Sequence, residues 1–185
     1  ETVKARAAEF AAKTDRPKGA KGVQLTELKR DVAGDTISYS TVVAKIDRRT
    51  KSVEILVKAP TKEVESTPAA IQAAGVAFWP MALARELDDL ILHLRTNEAN
   101  IGLWIFKTSG DSALVEHADK VLEANKSDWL VREITLYLKR TLKRIDVSSR
   151  TIFAQVEQGS CFTGTLAELL FTADRSFMLN GTFKR

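Results

Sequence analysis

The sequence predicts an α/β protein in which strands and helices alternate. Three observations carry that expectation: paired runs with the two-residue period of strands, short continuous apolar runs of strand length, and longer stretches whose apolar residues recur every three to four positions. Strands separated by helices favour parallel pairing through right-handed crossovers. The predicted order after an N-terminal helix is hairpin, helix, strand, helix, helix, strand, loop, helix, strand.

Val3 to Lys13 is helix-like, with Phe10 among alanines, and Asp15-Arg16-Pro17-Lys18-Gly19 stops it with a proline and a glycine. It reads as the last helix of something upstream. Ser38 to Ile46 and Ser52 to Lys58 alternate with period two, are joined by the polar Asp47-Arg48-Arg49-Thr50-Lys51 and are closed by Ala59-Pro60, which predicts a β-hairpin. Thr61 to Pro68 reads as a loop. From Met81 to Arg95, the residues Leu83, Leu87, Leu90, Ile91 and Leu94 share one helix face, opposite Arg85, Glu86 and Asp89. Ile101 to Phe106 is a continuous apolar run, which suits a strand covered on both faces. Asp111 to Ala124 reads as a helix with Leu114, Ala118, Val121 and Leu122 inward. A longer helix starts near Ser127 and runs to about Ile145, with Val131, Ile134, Leu138, Leu142 and Ile145 on one stripe. Thr151 to Val156 is a second buried strand. Past Gly159 and a polar loop, Leu166 to Ala173 is a short helix, and Ser176 to Leu179 is strand-like.

Composition narrows the function classes. A chain of 185 residues can bury roughly 70% of its unfolded surface without disulfide or metal support. Its single cysteine, Cys161, excludes an internal disulfide and suits a reducing, cytoplasmic setting. The two histidines, His93 and His117, do not make a zinc site with that thiol, so no metal is expected. The longest apolar stretch, Ala69 to Ala84, is interrupted by Gln72 and Pro80 and falls short of the ~20 residues that span a bilayer, so no membrane segment is expected. Lysines and arginines, net +4, are interleaved with 24 acidic residues, which argues against a nucleic-acid partner. The first residues, Glu1 to Arg6, show neither a signal peptide nor an initiator methionine. The chain is expected to start inside a longer protein.

Chemistry concentrates in two strand-to-helix corners. From Thr151 to Glu168 a buried strand runs through a loop holding Gly159 and Gly164 into a helix, where unpaired N–H groups at the positive end of the helix dipole suit a developing oxyanion. Thr108 to Ala113 likewise leaves a strand for a helix, and parallel strands would place it on the same sheet edge as a second donor.

These corners resemble those of the crotonase, or enoyl-CoA hydratase and isomerase, superfamily. That resemblance implies a crotonase-like ββα superhelix, here incomplete, in which the two N–H groups hold a coenzyme A thioester oxygen and glutamates move protons. By position, Gly164 or Thr165 would supply the later N–H, Ala113 or Leu114 the earlier one, and Glu168 would match the first glutamate. The pattern departs from the superfamily at Ala113-Leu114-Val115-Glu116, which is bulkier, and at Thr165-Leu166-Ala167, where glycines are expected. A closer resemblance is to the benzoyl-CoA-dihydrodiol lyases, carried by Ala5 to Pro17, Ala84-Arg85-Glu86-Leu87-Asp88-Asp89, Lys107 to Asp111, Asp146 to Arg150 and Gly159-Ser160-Cys161-Phe162. Enzymes of that family look like two crotonase-type units in tandem. The resemblance then makes residues 1–30 the C-terminal helix and linker of an upstream unit, and residues 31–185 the front of a second, degenerate one. It implies hydrolytic ring opening of 2,3-epoxybenzoyl-CoA to an open-chain CoA semialdehyde and formate, in aerobic benzoate degradation. No cofactor is implied beyond the coenzyme A of the substrate, and the partners are the acyl-CoA, the upstream unit and further copies in a homo-oligomer. This segment would then be structural; the alternatives are an autonomous acyl-CoA-binding or hydratase-like domain and a basic nucleic-acid-binding module.

Each singled-out residue also has a plainer reading. Thr165-Leu166-Ala167-Glu168 has the spacing of a capping box, in which Thr165 caps the helix and Glu168 bonds back to it. Cys161 has no histidine near it in sequence and reads as a packing thiol. Lys139, Arg140, Lys143 and Arg144 form a basic stripe that reads as a solvated helix face rather than a phosphate contact. Trp79, Trp104 and Trp129 adjoin apolar positions and read as core. His93 and His117 read as surface or capping residues.

Overall fold

A computed structural model of the chain describes residues 1–15, 18, 19 and 21–181. Seven strands among them form one mixed sheet in sequence order. β1 (Asp31–Ala33), β2 (Thr36–Ser38), β3 (Val42–Asp47) and β4 (Ser52–Lys58) make an antiparallel meander, and β5 (Leu103–Ser109), β6 (Thr151–Val156) and β7 (Arg175–Met178) continue it in parallel. The helices are α1 (Thr2–Ala12), α2 (Pro68–Ala74), α3 (Trp79–Thr96), α4 (Ser112–Ala124), α5 (Trp129–Asp146) and α6 (Glu168–Thr172), with 3₁₀ turns at Gly75–Ala77 and Gly164–Ala167.

The hairpin expected from the period-two runs is β3–β4, with Val43 paired to Leu56 and Ile46 to Val53. Its loop is shaped by Asp47, whose carboxylate accepts the N–H groups of Arg49 and Thr50 at 2.9 and 3.1 Å. The first run is not one strand, however. It is broken at Ser40–Thr41 by a tight turn, closed by Tyr39 N–H donating to the Val42 carbonyl at 2.8 Å, so that Ser38 belongs to β2. β1 escaped the pattern because three residues are too few to show a period. α2 escaped it because its alanine-rich run has no apolar stripe; its start is marked by Thr67, whose hydroxyl accepts the Ala70 N–H, and by Pro68 in the first turn. The proline expected to stop α1, Pro17, lies outside the described residues.

The continuous apolar run of β5 predicted a strand covered on both faces and β6 a second buried strand, and the structure covers one face of each. Val53, Ile55 and Val57 of β4 align with Trp104, Phe106 and Thr108 of β5, and Ile152 and Ala154 of β6 join the same buried face. The other face, with Leu56, Ile105 and Phe153, is half-exposed. Topology explains this: the three parallel crossovers all step the same way across the sheet, and a constant right-handed sense lands every crossover helix on the same side. Polar groups fit the open face, where Lys107 pairs with Glu54 at 2.8 Å and Glu157 at 3.4 Å. Burial opposes the charge on Lys107, but these carboxylates outweigh it and its pKa is raised.

The core lies between the buried sheet face and α3 to α6. α3 buries Leu83, Leu87, Leu90, Ile91 and Leu94, the expected stripe, and α5 buries Val131, Ile134, Leu138 and Ile145. α5 starts where expected, capped by Asp128, whose carboxylate accepts the Leu130 and Val131 N–H groups at 2.9 and 3.1 Å. α1 buries nothing. Asp15, just past it, pairs with Arg132 of α5 at 2.8 Å.

Candidate functional site

β5 and β6 lie side by side and parallel, so the two corners predicted from sequence do leave the sheet at one edge. Backbone ties hold that edge together. Ala59 N–H, just past β4, donates to the Ser109 carbonyl at 2.9 Å, and Gly110 N–H donates to Gly159 in the loop after β6 at 3.2 Å. Cys161 N–H donates to the Thr108 hydroxyl at 2.8 Å. Gly110 has φ +128, and a Cβ there would stand 2.6 Å from the Ala59 Cβ, so only glycine lets β5 turn this close to β4.

Of the four candidate oxyanion donors, Ala113, Leu114, Gly164 and Thr165, the Ala113 and Thr165 amides already have side-chain partners. Ala113 N–H, ahead of Leu114 in the first turn of α4, donates at 2.8 Å to the carboxylate of Asp111, the cap of that helix. Thr165 N–H donates at 2.6 Å to one carboxylate oxygen of Asp119 on α4, and the Thr165 hydroxyl donates to the other. Gly164 has φ +49 and presses so close to Asp119 that a Cβ would collide with the carboxylate. One turn earlier on α4, Glu116 accepts from the Thr163 hydroxyl at 3.2 Å. Acids on α4 thus seat the late corner, and a thioester oxygen could reach the Thr165 amide only if Asp119 withdrew.

The capping box is a correction to the sequence reading. Thr165 spends both polar groups on Asp119, and neither the 3₁₀ turn nor α6 has a side-chain cap. Glu168 opens α6 with its side chain exposed, in a groove of about 520 Å³ between α4, α5 and α6 that Lys139 and Lys143 also line. Cys161 is buried, and burial, against a smaller opposing effect of the Thr108 hydroxyl, pushes its thiol pKa up, as befits a packing thiol.

Comparison with known proteins adds one likeness. The chain is 48% identical over 180 residues, 97% of its length, to the curated benzoyl-CoA-dihydrodiol lyase of Aromatoleum evansii. It spans about a third of that protein, 32% of its length. No family model matches the chain.

Of the segments that carried the resemblance to benzoyl-CoA-dihydrodiol lyases, those from Ala84 onward turn out to be ties of the fold. Of Arg85, Glu86 and Asp89, which the sequence sets opposite the apolar face of α3, Glu86 is only 7% exposed, and the neighbouring Asp88 is 8% exposed. Glu86 accepts four hydrogen bonds, from the N–H groups of Ser40 and Thr41 at 3.3 and 2.6 Å and from both hydroxyls at 2.5 Å, and so clamps the β2–β3 turn. Asp89 accepts from the Tyr39 hydroxyl at 2.6 Å and pairs with Arg30. Asp88 takes the Tyr137 hydroxyl at 3.3 Å and forms an ion pair with Arg144 at 2.8 Å, off the line of the guanidinium N–H. Arg85 donates to the Thr26 carbonyl at 2.6 Å. Arg144 is thereby turned from the basic stripe towards α3, whereas Lys139, Arg140 and Lys143 are exposed. Lys107 to Asp111 forms the early corner, and Asp146 to Arg150 turns α5 into β6 through Ser149 at φ +53.

A cleft of about 510 Å³, with no signal in the sequence pattern, lies beside the C-terminal end of β4. Lys58, Lys62, Lys29 and Arg85 line it, with Trp79 as its apolar wall, and Trp79 donates its indole N–H to the Lys58 carbonyl at 3.0 Å. Trp79 and Trp104 are core residues and Trp129 packs at its rim. His93, near the end of α3, hydrogen-bonds the Asn97 side chain at 3.0 Å. Among the described residues no three His, Cys, Asp or Glu side chains converge on a metal site, and no helix is long and apolar enough to cross a membrane.

Proposed function

We propose that this chain is a structural segment of a benzoyl-CoA-dihydrodiol lyase of crotonase-like fold. Residues 1–30 hand over from an upstream crotonase-type unit that carries the reaction, and residues 31–185 form the front of a second, degenerate unit. The observation that carries this reading is the occupancy of the corner amides: Asp111 and Asp119 hold the Ala113 and Thr165 N–H groups that a working site would point at a thioester oxygen. The likeness to the Aromatoleum lyase and the bareness of α1, which offers Val3 and Phe10 to some other surface, support it. The reaction of the whole enzyme is hydrolytic opening of 2,3-epoxybenzoyl-CoA in benzoate degradation, in the cytoplasm, by a homo-oligomer with no cofactor beyond its substrate's coenzyme A. A full-length polypeptide should release formate from that substrate; a folded full-length protein without turnover would overturn the assignment.

The cleft beside β4 favours a second reading, an acyl-CoA-binding domain in its own right, because four cations, against Glu27, Glu63 and Glu86, flank an apolar wall at the ligand-binding edge of the sheet. Calorimetry of residues 1–185 with benzoyl-CoA separates the two. Heat that saturates below millimolar ligand supports the binding domain, and no heat at millimolar ligand removes it.

A further inference from the structure

Residues 21–30 run up to β1 with neither helix nor strand. Among the described residues, the backbone of this stretch bonds to no other backbone, and helix side chains hold it instead. Gln72 of α2 donates to the Lys21 carbonyl at 2.9 Å, Arg85 of α3 donates to the Thr26 carbonyl at 2.6 Å, and Arg30 pairs with Asp89 of α3 at 3.2 Å. Val23 is the apolar peg. It packs on the core, and a Cβ on Gly75, at φ +57, would stand 3.0 Å from its side chain. Every other residue of the stretch except Leu28 is exposed. The stretch is also undercut on two sides: Thr26 to Lys29 form one wall of the cleft beside β4, while Gly22, Val23 and Leu25 border a groove of about 490 Å³ against α3 and α5.

We propose that residues 21–30 are a strap that lifts from α2 and α3 as one piece while the sheet stays folded, that Arg85 is its latch, and that lifting opens the cleft beside β4. A segment opens locally when it buries few apolar contacts and its hydrogen bonds lie within reach of water. This one has a single peg and three side-chain ties. The ties are unequal: the Gln72 bond is neutral, and the Arg30–Asp89 pair is more than a third exposed on both sides, a class of ion pair that holds weakly. The Arg85 bond is charge-assisted, short and in the middle of the strap. Arg85 lines the cleft as well, so one guanidinium fastens the strap and faces the space that the strap closes. Lifting costs the sheet no ladder bond, because pairing begins only at Asp31. The inference goes beyond both readings of the chain and holds under either.

Trypsin on the full-length polypeptide tests it, since the strap contains Lys21, Lys29 and Arg30 and cleavage of a briefly opened segment follows the population of the open form. Mapped by mass spectrometry, cuts after Lys21 and Lys29 should appear while β4 to β6 stay whole. Arg85→Gln should speed the cut after Lys29 at least about tenfold at an unchanged melting temperature. Gln72→Ala, at an exposed position, should speed the cut after Lys21 about threefold, and it carries the test if Arg85→Gln does not fold. Ala82→Cys, on the cleft wall, reads the cleft itself: its labelling by a maleimide should quicken with Arg85→Gln in step with the cut after Lys29. Equal cleavage of both variants and the unaltered protein would overturn the latch. Cuts in the strap that appear only together with cuts in β4 to β6 would overturn local lifting, and labelling at position 82 that ignores Arg85→Gln would overturn the gate.

Discussion

The Ser40–Thr41 turn and the Gly164–Thr165 corner are held by the same device: a helix carboxylate that takes a backbone N–H and a hydroxyl from one residue. They differ in depth. Glu86 is buried and satisfies two residues with four bonds, whereas Asp119 is half-buried and satisfies one residue with two. A buried carboxylate with all its lone pairs engaged is a fixed part of the core, and removing it strands its donors in a dry place. The half-buried one leaves donors that water can reach. The β2–β3 turn should therefore be the rigid end of the fold and the late corner the adjustable one.

Glu86→Ala breaks the strong side of the comparison and should cost about 3–5 kcal/mol, since bonds to a charged acceptor are worth about 1.5–3 kcal/mol each and are only partly additive. Urea unfolding measures it, and a loss under about 1 kcal/mol would remove the contrast. Gly110→Ala, at the tie between the β4 and β5 ends, should cost about 2–4 kcal/mol from backbone strain and the clash with Ala59. Asp119→Ala should cost only about 1–2 kcal/mol while freeing the Thr165 amide, seen as faster hydrogen exchange at that one residue. If Asp119→Ala proved as damaging as Glu86→Ala, the late corner would be core rather than an adjustable seat.

The smallest effect sharpens the rigid end through pH. Burial, then the hydrogen bond to Asp89, raises the Tyr39 pKa, so folding favours the neutral phenol. That contribution is whole below the unfolded tyrosine pKa of about 10 and is lost as pH climbs through the higher folded value. Tyr39→Phe should therefore flatten the decline of the urea midpoint between about pH 10 and 11, and a decline of unchanged slope would contradict the assignment.

Legibility in the sequence followed the range of the forces. α3, α4 and α5 were readable because each buries one face, and a repeated local pattern records that, though α4 buries Val115 in place of the expected Leu114; β5 and β6 were readable as short apolar runs of strand length. Glu86 was not, because the donors that permit its burial lie about 45 residues earlier on another element; alone on a helix, a glutamate reads as solvated. Asp119 was missed for the same reason, since its partner Thr165 is 46 residues away. Composition of one strand cannot say whether a sheet is covered on one face or two; that depends on the direction of every crossover. The parallel placement of the two corners was legible, whereas the occupancy of their amides was not.

The claim that this segment scaffolds rather than catalyses is tested most directly by Glu168→Gln in the full-length polypeptide, measuring formate release from 2,3-epoxybenzoyl-CoA beside the melting temperature. Because Glu168 is exposed and the Thr165 amide near it is occupied, kcat/KM and Tm should both match the unaltered enzyme. Turnover abolished at an unchanged Tm would place the chemistry in this corner after all.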